Sequence, residues 1–100
     1  MTRKTEPKIP HLASVALQSV IQEMADQDKK WGADRDQDLS IWNLILTEET
    51  GELAQAILHF QFGGEKCYGL RKEAVQVAAV ALQIIEYIDR NDLMERINEY

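Results

Sequence analysis

Residues 46–53 read Leu46-Thr47-Glu48-Glu49-Thr50-Gly51-Glu52-Leu53, and how they are placed decides the fold. Three carboxylates fall within five positions. Ile41, Trp42, Leu44, Ile45 and Leu46 precede them, and Leu53, Ala54, Ala56, Ile57 and Leu58 follow. Apolar residues recurring three and four apart predict one long helix. On it Glu49 and Glu52 are a turn apart on one face, as are Glu48 and Glu52 at i and i+4. At about 100° per residue, Glu49 shares a stripe with Ile45, Leu53 and Ala56. A solvated acidic face would lie opposite that stripe. Two like charges 4 Å apart repel by about 4 kcal/mol at an effective dielectric near 20. Acids beside a core therefore hold protons or hold a cation, and a hard divalent ion such as Mg²⁺ suits clustered carboxylate oxygens.

Outward from this stretch, the chain divides into a few elements. Residues 1–10 carry Arg3, Lys4 and Lys8 with Pro7 and Pro10, and read as an N-terminal arm. It is a frayed end or a strap over a neighbouring subunit. Residues 11–30 place Leu12, Val15, Ala16, Val20, Ile21 and Met24 at helical spacing. Lys29 and Lys30 fall in the last turn, where cations suit the helix dipole, and Gly32 ends the element. Residues 32–38 form a polar loop, from which Asp38 or Ser40 can cap a second helix over about 40–60. Gly51 inside that helix costs about 1 kcal/mol against alanine, and such a glycine often admits another backbone or a ligand.

Residues 61–69 contain Gly63, Gly64 and Gly69 and read as a mobile connection. A third helix spans about 70–89, with Leu70, Ala74, Val77, Ala81, Ile84, Ile85 and Ile88 as its stripe. The run 77–82 is apolar nearly all round, which predicts burial on more than one side. Asn91 or Asp92 can cap a short last helix ending near Tyr100. The expected architecture is all-α: an antiparallel bundle of three long helices plus a short C-terminal one, forming a single domain over 11–100.

Composition narrows the functional classes. One hundred residues make one domain with a small core, which burial against a second copy would enlarge. The net charge of −6 argues against broad binding to nucleic-acid phosphates. Glu48, Glu49, Glu52 and Glu73 supply most of that imbalance. Cys67 is the sole cysteine, so no intrachain disulfide forms, and His11 and His59 make no zinc pattern with it. No secretory leader or membrane span is read, and the expected compartment is the cytoplasm.

The third helix carries its own misplaced acid. Glu73 lies beside the stripe, on the side of Val77, Val80 and Ile84, and Gln76 follows at i+3. If the second and third helices pack antiparallel, Glu49, Glu52, Glu73 and Gln76 converge on one point. That is three anions and an amide carbonyl, a donor set for Mg²⁺ or Ca²⁺. The competing reading is a salt-bridged helix face. It lacks partners, since no Lys or Arg stands at i+3 or i+4 of Glu48, Glu49 or Glu52.

The motif Glu-Glu-Thr-Gly-Glu-Leu (48–53), a connecting loop, then Glu-Ala-Val-Gln-Val-Ala-Ala-Val (73–80) resembles the MazG-like nucleoside triphosphate pyrophosphohydrolases. Their pattern is Glu-Glu-x-x-Glu, a variable spacer, then Glu-x-x-Asp. The resemblance covers roughly residues 30–89. Lys30-Trp31-Gly32, with Gln37 and Trp42, looks like a phage- or mobile-element-type branch.

This resemblance implies an all-α fold completed as a homodimer or a dimer of dimers. It also implies hydrolysis of a (d)NTP to (d)NMP and pyrophosphate with Mg²⁺, or Mn²⁺ in its place, clearing non-standard or surplus nucleotides. Carried over by position, Glu49, Glu52, Glu73 and Gln76 are metal ligands. Glu48 and Glu49 are the catalytic pair, Glu48 as an outer ligand or a positioner of the attacking water. Lys29, Lys30, Arg71 and Lys72 are phosphate contacts, or else solvated helix-end and first-turn residues. Trp31 or Trp42 stacks on the base, or else packs in the core or between subunits. Gln76 departs from the pattern, which has Asp there. One negative charge is lost, and the alternative reading is a catalytically weakened oligomer that binds nucleotides or a partner. A purely structural helical assembly is the third reading.

Overall fold

The computed structural model describes residues 10–96, and every regular element in that span is helical. α1 is Pro10–Trp31, α2 is Leu39–Phe62, a 3₁₀ segment is Glu65–Gly69, α3 is Leu70–Arg90 and α4 is the single turn Leu93–Arg96. The arm at residues 1–9 and the last residues of the expected C-terminal helix lie outside the described residues.

α3 is the central element and packs against both α1 and α2. α2 runs antiparallel to it. The Trp42 and Tyr87 rings meet at 6.4 Å at one end, Gln76 reaches Glu49 midway, and Glu52 approaches Glu73 further along. α1 runs parallel to α3, since Arg71 donates to Ser19 Oγ at 3.0 Å near its start while Gln27 and Val80 line one cavity a few turns on. Among the described residues the buried apolar side chains are Val20, Trp42, Ala56, Ala79 and Val80. Two of them are alanines, flanking the acid positions: Ala56 is one turn past Glu52, and Ala79 one turn past Gln76. Small side chains there let α2 and α3 approach closely.

The inner face of α3 is rotated from the expected stripe. Ala74, Ala81 and Ile85 are exposed, whereas Ala79, Val80 and Gln83 are buried. An element with helices on two sides buries the arc between them. The apolar count alone drew that arc too far towards Ala81 and Ile85. The apolar run 77–82 is accordingly covered at 79 and 80 and open at 81.

The connection at 61–69 also differs from expectation. α2 continues to Phe62, and Glu65–Gly69 forms a 3₁₀ turn tied back by the Lys66 backbone N–H, which donates to His59 Nδ1 at 3.0 Å. Gly64 makes this closure feasible: its φ is 145°, and a Cβ there would overlap the His59 ring. His59 is thus a tether for the turn as well as a residue of the last turn of α2.

The loop at 32–38 is clamped. Gly32, at φ 97°, donates its N–H to Asp28 O at 2.8 Å and closes α1. Asp38 occupies the N-cap of α2 without a side-chain cap bond; its carboxylate accepts instead from Ser40 Oγ at 3.2 Å. From the far end of α3, Arg90 reaches Asp34 at 3.5 Å, Asp36 at 3.3 Å and the Arg35 carbonyl at 3.2 Å. Asn91 adds a bond to Asp36 at 3.3 Å.

Candidate metal centre

Antiparallel packing of α2 on α3 brings the two halves of the motif together. One carboxylate oxygen from each of Glu49, Glu52 and Glu73 lies within 4.8 Å of the others. Glu49 and Glu73 are half-buried and Glu52 is exposed, so the cluster opens to solvent on the Glu52 side. Gln76 stands in the fourth position. With its nitrogen turned inward, the amide donates to Glu49 Oε1 at 3.2 Å and to Glu73 Oε1 at 3.0 Å. With its oxygen inward, it would face the same carboxylates acceptor to acceptor, which only a cation between them would favour.

The electrostatics are those of crowded anions. Burial pushes the Glu49 carboxyl above its ordinary value, and Glu52, Glu73, Glu48 and Glu23 push it further. Burial likewise raises Glu73, and Glu52 adds to it both by its charge and by a shared hydrogen bond. Lys72 and Lys66 act on Glu73 in the opposite sense but do not overcome these effects. Among the described residues, no ion pair within 4.0 Å engages Glu49, Glu52 or Glu73.

The donor set fits a hard divalent ion. Opposite ligands of Mg²⁺ stand about 4 Å apart, so three carboxylates already within 4.8 Å need only a small closure to share one. The Gln76 carbonyl would supply a fourth oxygen, and the open Glu52 side leaves room for water or a phosphate oxygen.

Two cavities flank the cluster. One, of about 360 Å³, is lined by Gln27, Trp31, Arg35, Gln37, Ile45, Glu48, Glu49 and Val80, where α1 and α2 splay beside α3. The other, of about 380 Å³, is lined by Glu52, Gln55, Ala56, Glu65, Lys66, Gly69 and Glu73. Glu48 is exposed at the rim of the first and lies outside the triad.

The remaining sequence candidates are distributed unevenly. Trp31 lines the first cavity and stays largely exposed, at 64%. Trp42 is 2% exposed and packs in the core against Tyr87, so it is no stacking surface. Lys30 folds its ammonium over the Trp31 ring at 5.1 Å. Arg71 and Lys72 line a groove between α1 and α3 and border neither cavity beside the acids. Arg71 is held there by Ser19.

Sequence reasoning missed Lys66, which lines the cavity beside Glu52 and Glu73, because three glycines made its segment look loose. It also missed Gln27 and Arg35 beside Glu49. Gln27 bonds Glu23 at 2.9 Å, an i,i+4 pair that could have been read from spacing. No protein-family model matches the chain, and no curated protein or solved structure matches it either.

Proposed function

We propose that this chain is a Mg²⁺-dependent nucleoside triphosphate pyrophosphohydrolase of the MazG-like kind, converting a (d)NTP to the monophosphate and pyrophosphate. The observation that carries this reading is the meeting of Glu49, Glu52 and Glu73, with Gln76 beside them and, among the described residues, no ion pair within 4.0 Å to any of the three. Glu49, Glu52, Glu73 and Gln76 would hold the ion. When bound, Mg²⁺ neutralises charge on the phosphate oxygens and acidifies a water. Glu48, which lines the first cavity next to Glu49, would orient the attacking water and take its proton. Lys66, beside Glu52 and Glu73, would contact phosphate oxygens on the other side, and Trp31, with the Lys30 ammonium over its ring, lines the first cavity.

The exposed apolar surface favours self-association, which fits the same reading. Among the described residues five buried apolar side chains make a thin core, and Ile41, Leu44, Ile57 and Leu58 of α2 are exposed, as are Phe60 and Phe62. A Cβ at Gly51 would meet nothing within 4 Å, so no neighbour in this chain uses that gap. The radius of gyration is 16.4 Å, against roughly 13 Å for a globular domain of 100 residues. We read the outer face of α2 as the surface on which a homodimer, or a dimer of dimers, closes. No helix among the described residues is long and apolar enough to cross a membrane.

A second reading rests on Gln76. An amide nitrogen donating to both Glu49 and Glu73 partly satisfies the cluster without a metal, as a weakened, binding-only relative would require. Purified protein incubated with Mg²⁺ or Mn²⁺ and a panel of (d)NTPs separates the two. Release of pyrophosphate, lost in Glu49→Gln, supports the enzyme. Nucleotide binding without release supports the second reading. Release that survives Glu49→Gln removes the assigned site.

A further inference from the structure

The Glu65–Gly69 turn is tied to α2 through one histidine. The His59 carbonyl accepts from the Gly63 N–H at 2.8 Å, and its Nδ1 accepts from the Lys66 N–H at 3.0 Å. Gly64, at φ 145°, passes so close to the ring that a Cβ would overlap it. This geometry fixes where the ring carries its hydrogen. An imidazole nitrogen accepts a hydrogen bond only when it is bare, so the proton of the neutral ring sits on Nε2. A second proton would go to Nδ1 and face the Lys66 N–H donor to donor, and the bond would be lost. An asparagine or glutamine would accept at every pH, whereas histidine ordinarily changes charge between about pH 5 and 8. The tether matters because of what it holds. Lys66 lines the cavity it shares with Glu52 and Glu73, and its charge reaches Glu73, where it opposes the rise caused by burial and Glu52. The titratable groups around the turn are Glu65, Lys66, Cys67 and Tyr68 on it, with Glu52 of α2 and Lys72 and Glu73 of α3 on the side of that cavity and of the start of α3. α1 does not pack against the turn.

We propose that His59 is the positioning residue for Lys66: its neutral ring closes the Glu65–Gly69 turn and keeps Lys66 beside the carboxylates, and protonation of Nδ1 releases the turn. This rests on the reading above in which Lys66 contacts phosphate oxygens, and it places that contact under the control of a group that touches neither metal nor substrate. Acid therefore acts on the site twice. It protonates the crowded carboxylates directly, and it withdraws the lysine by way of the imidazole.

The test uses the full chain without metal or nucleotide and follows the turn by NMR from pH 8 to pH 5. Nitrogen-15 shifts of the His59 ring should show the neutral form protonated at Nε2. The Lys66 N–H should exchange with solvent more slowly than in an unstructured chain at the same pH. That protection should fall about tenfold, the scale of one neutral hydrogen bond, with the midpoint of the ring's own titration. Following the ring itself separates this loss from protonation of Glu73. His59→Gln, whose amide oxygen accepts at either end of the range, should keep the protection at both, and His59→Phe should lack it at both. The proposal is overturned if the neutral ring carries its proton on Nδ1, if Lys66 protection is unchanged as the ring titrates, or if His59→Gln loses protection with acid as wild type does. Should the glutamine fail to close the turn, the two wild-type readouts decide alone. A turn that opens in this way in a protein that hydrolyses no triphosphate leaves the His59 gate standing and removes the catalytic reading. Hydrolysis with a turn indifferent to pH does the reverse.

Discussion

Two acidic clusters among the described residues are treated in opposite ways. Asp34 and Asp36, in the loop between α1 and α2, are met by the Arg90 guanidinium at 3.5 and 3.3 Å and by the Asn91 amide. Glu49, Glu52 and Glu73, on the facing sides of α2 and α3, are met by one another and by a neutral amide. The first cluster is exposed, and an arginine from the far end of the chain turns it into a clasp. The second is partly buried, and burial together with the neighbouring carboxylates raises the carboxyls of Glu49 and Glu73 above their ordinary value. Acids that close a loop recruit a cation from the protein. Acids left to repel one another on two helices sit where a cation from outside can complete them.

The largest contrast should appear in turnover. Under the proposed function, Glu49→Gln or Glu73→Gln should lower pyrophosphate release at least about a hundredfold, the scale of losing one main electrostatic stabiliser. Asp34→Asn should change it less than about twofold. Steady-state assays of the three variants side by side check this, and equal losses in all of them would erase the distinction between the clusters.

Gln76 gives the next effect. Gln76→Leu removes a donor from two carboxylates and should destabilise the metal-free protein by about 1.5–3 kcal/mol. Gln76→Asp should also lower the melting temperature without metal, by adding a fourth negative charge, and should tighten divalent-ion binding. Thermal melts with and without Mg²⁺ read both signs. A metal-free Gln76→Asp melting as high as wild type would mean that the carboxylates are not repelling one another.

The pH dependence follows from the same crowding. Glu49 and Glu73 have folded-state pKa values raised above the ordinary 4.5. Between that value and the raised ones the folded chain binds more protons than the unfolded chain. Their contribution is therefore fully present below about pH 4.5 and is lost as pH rises through the raised values. Metal-free denaturation midpoints should fall over that window, on top of the trend set by the other groups. Saturating Mg²⁺, which binds the ionised form, should remove the fall. The same pH scan on Glu49→Gln/Glu73→Gln should lack it altogether.

The Arg90 clasp should give the smallest change. Its partners are 74% and 66% exposed at the side chain, and exposed pairs are worth about 0–1 kcal/mol. Arg90→Gln should therefore lower the melting temperature slightly, with the difference shrinking in high salt. A larger loss would make the clasp a part of the core.

Much of this contrast is legible in the sequence. Apolar spacing placed the three long helices, and the i,i+3 pairs Glu49/Glu52 and Glu73/Gln76 pointed at one another once α2 and α3 were taken as antiparallel. The buried arc of α3 was not readable, because two neighbours share that helix and periodicity reports only that a face is apolar. The Glu65–Gly69 turn was hidden for another reason. Its order comes from the His59 ring, six to seven residues upstream, and local composition shows only glycines. The partners of the acids were the hardest to place. Arg71 precedes Glu73 in sequence yet is held on α1 by Ser19, while Lys66, which local composition placed in a loose connection, lines the cavity beside Glu52 and Glu73. Direction around a helix axis, and not distance along the chain, decides which charges meet.

The central claim is that the carboxylates of α2 and α3 together bind a divalent ion. It is tested most directly by calorimetric titration of Mg²⁺ into the nucleotide-free protein near pH 5.5, run in two buffers of different ionisation heat. Saturable binding with release of protons, reduced by at least about tenfold in Glu73→Gln, is the result expected. Absence of binding heat in both buffers, or binding that Glu73→Gln leaves unchanged, would contradict it.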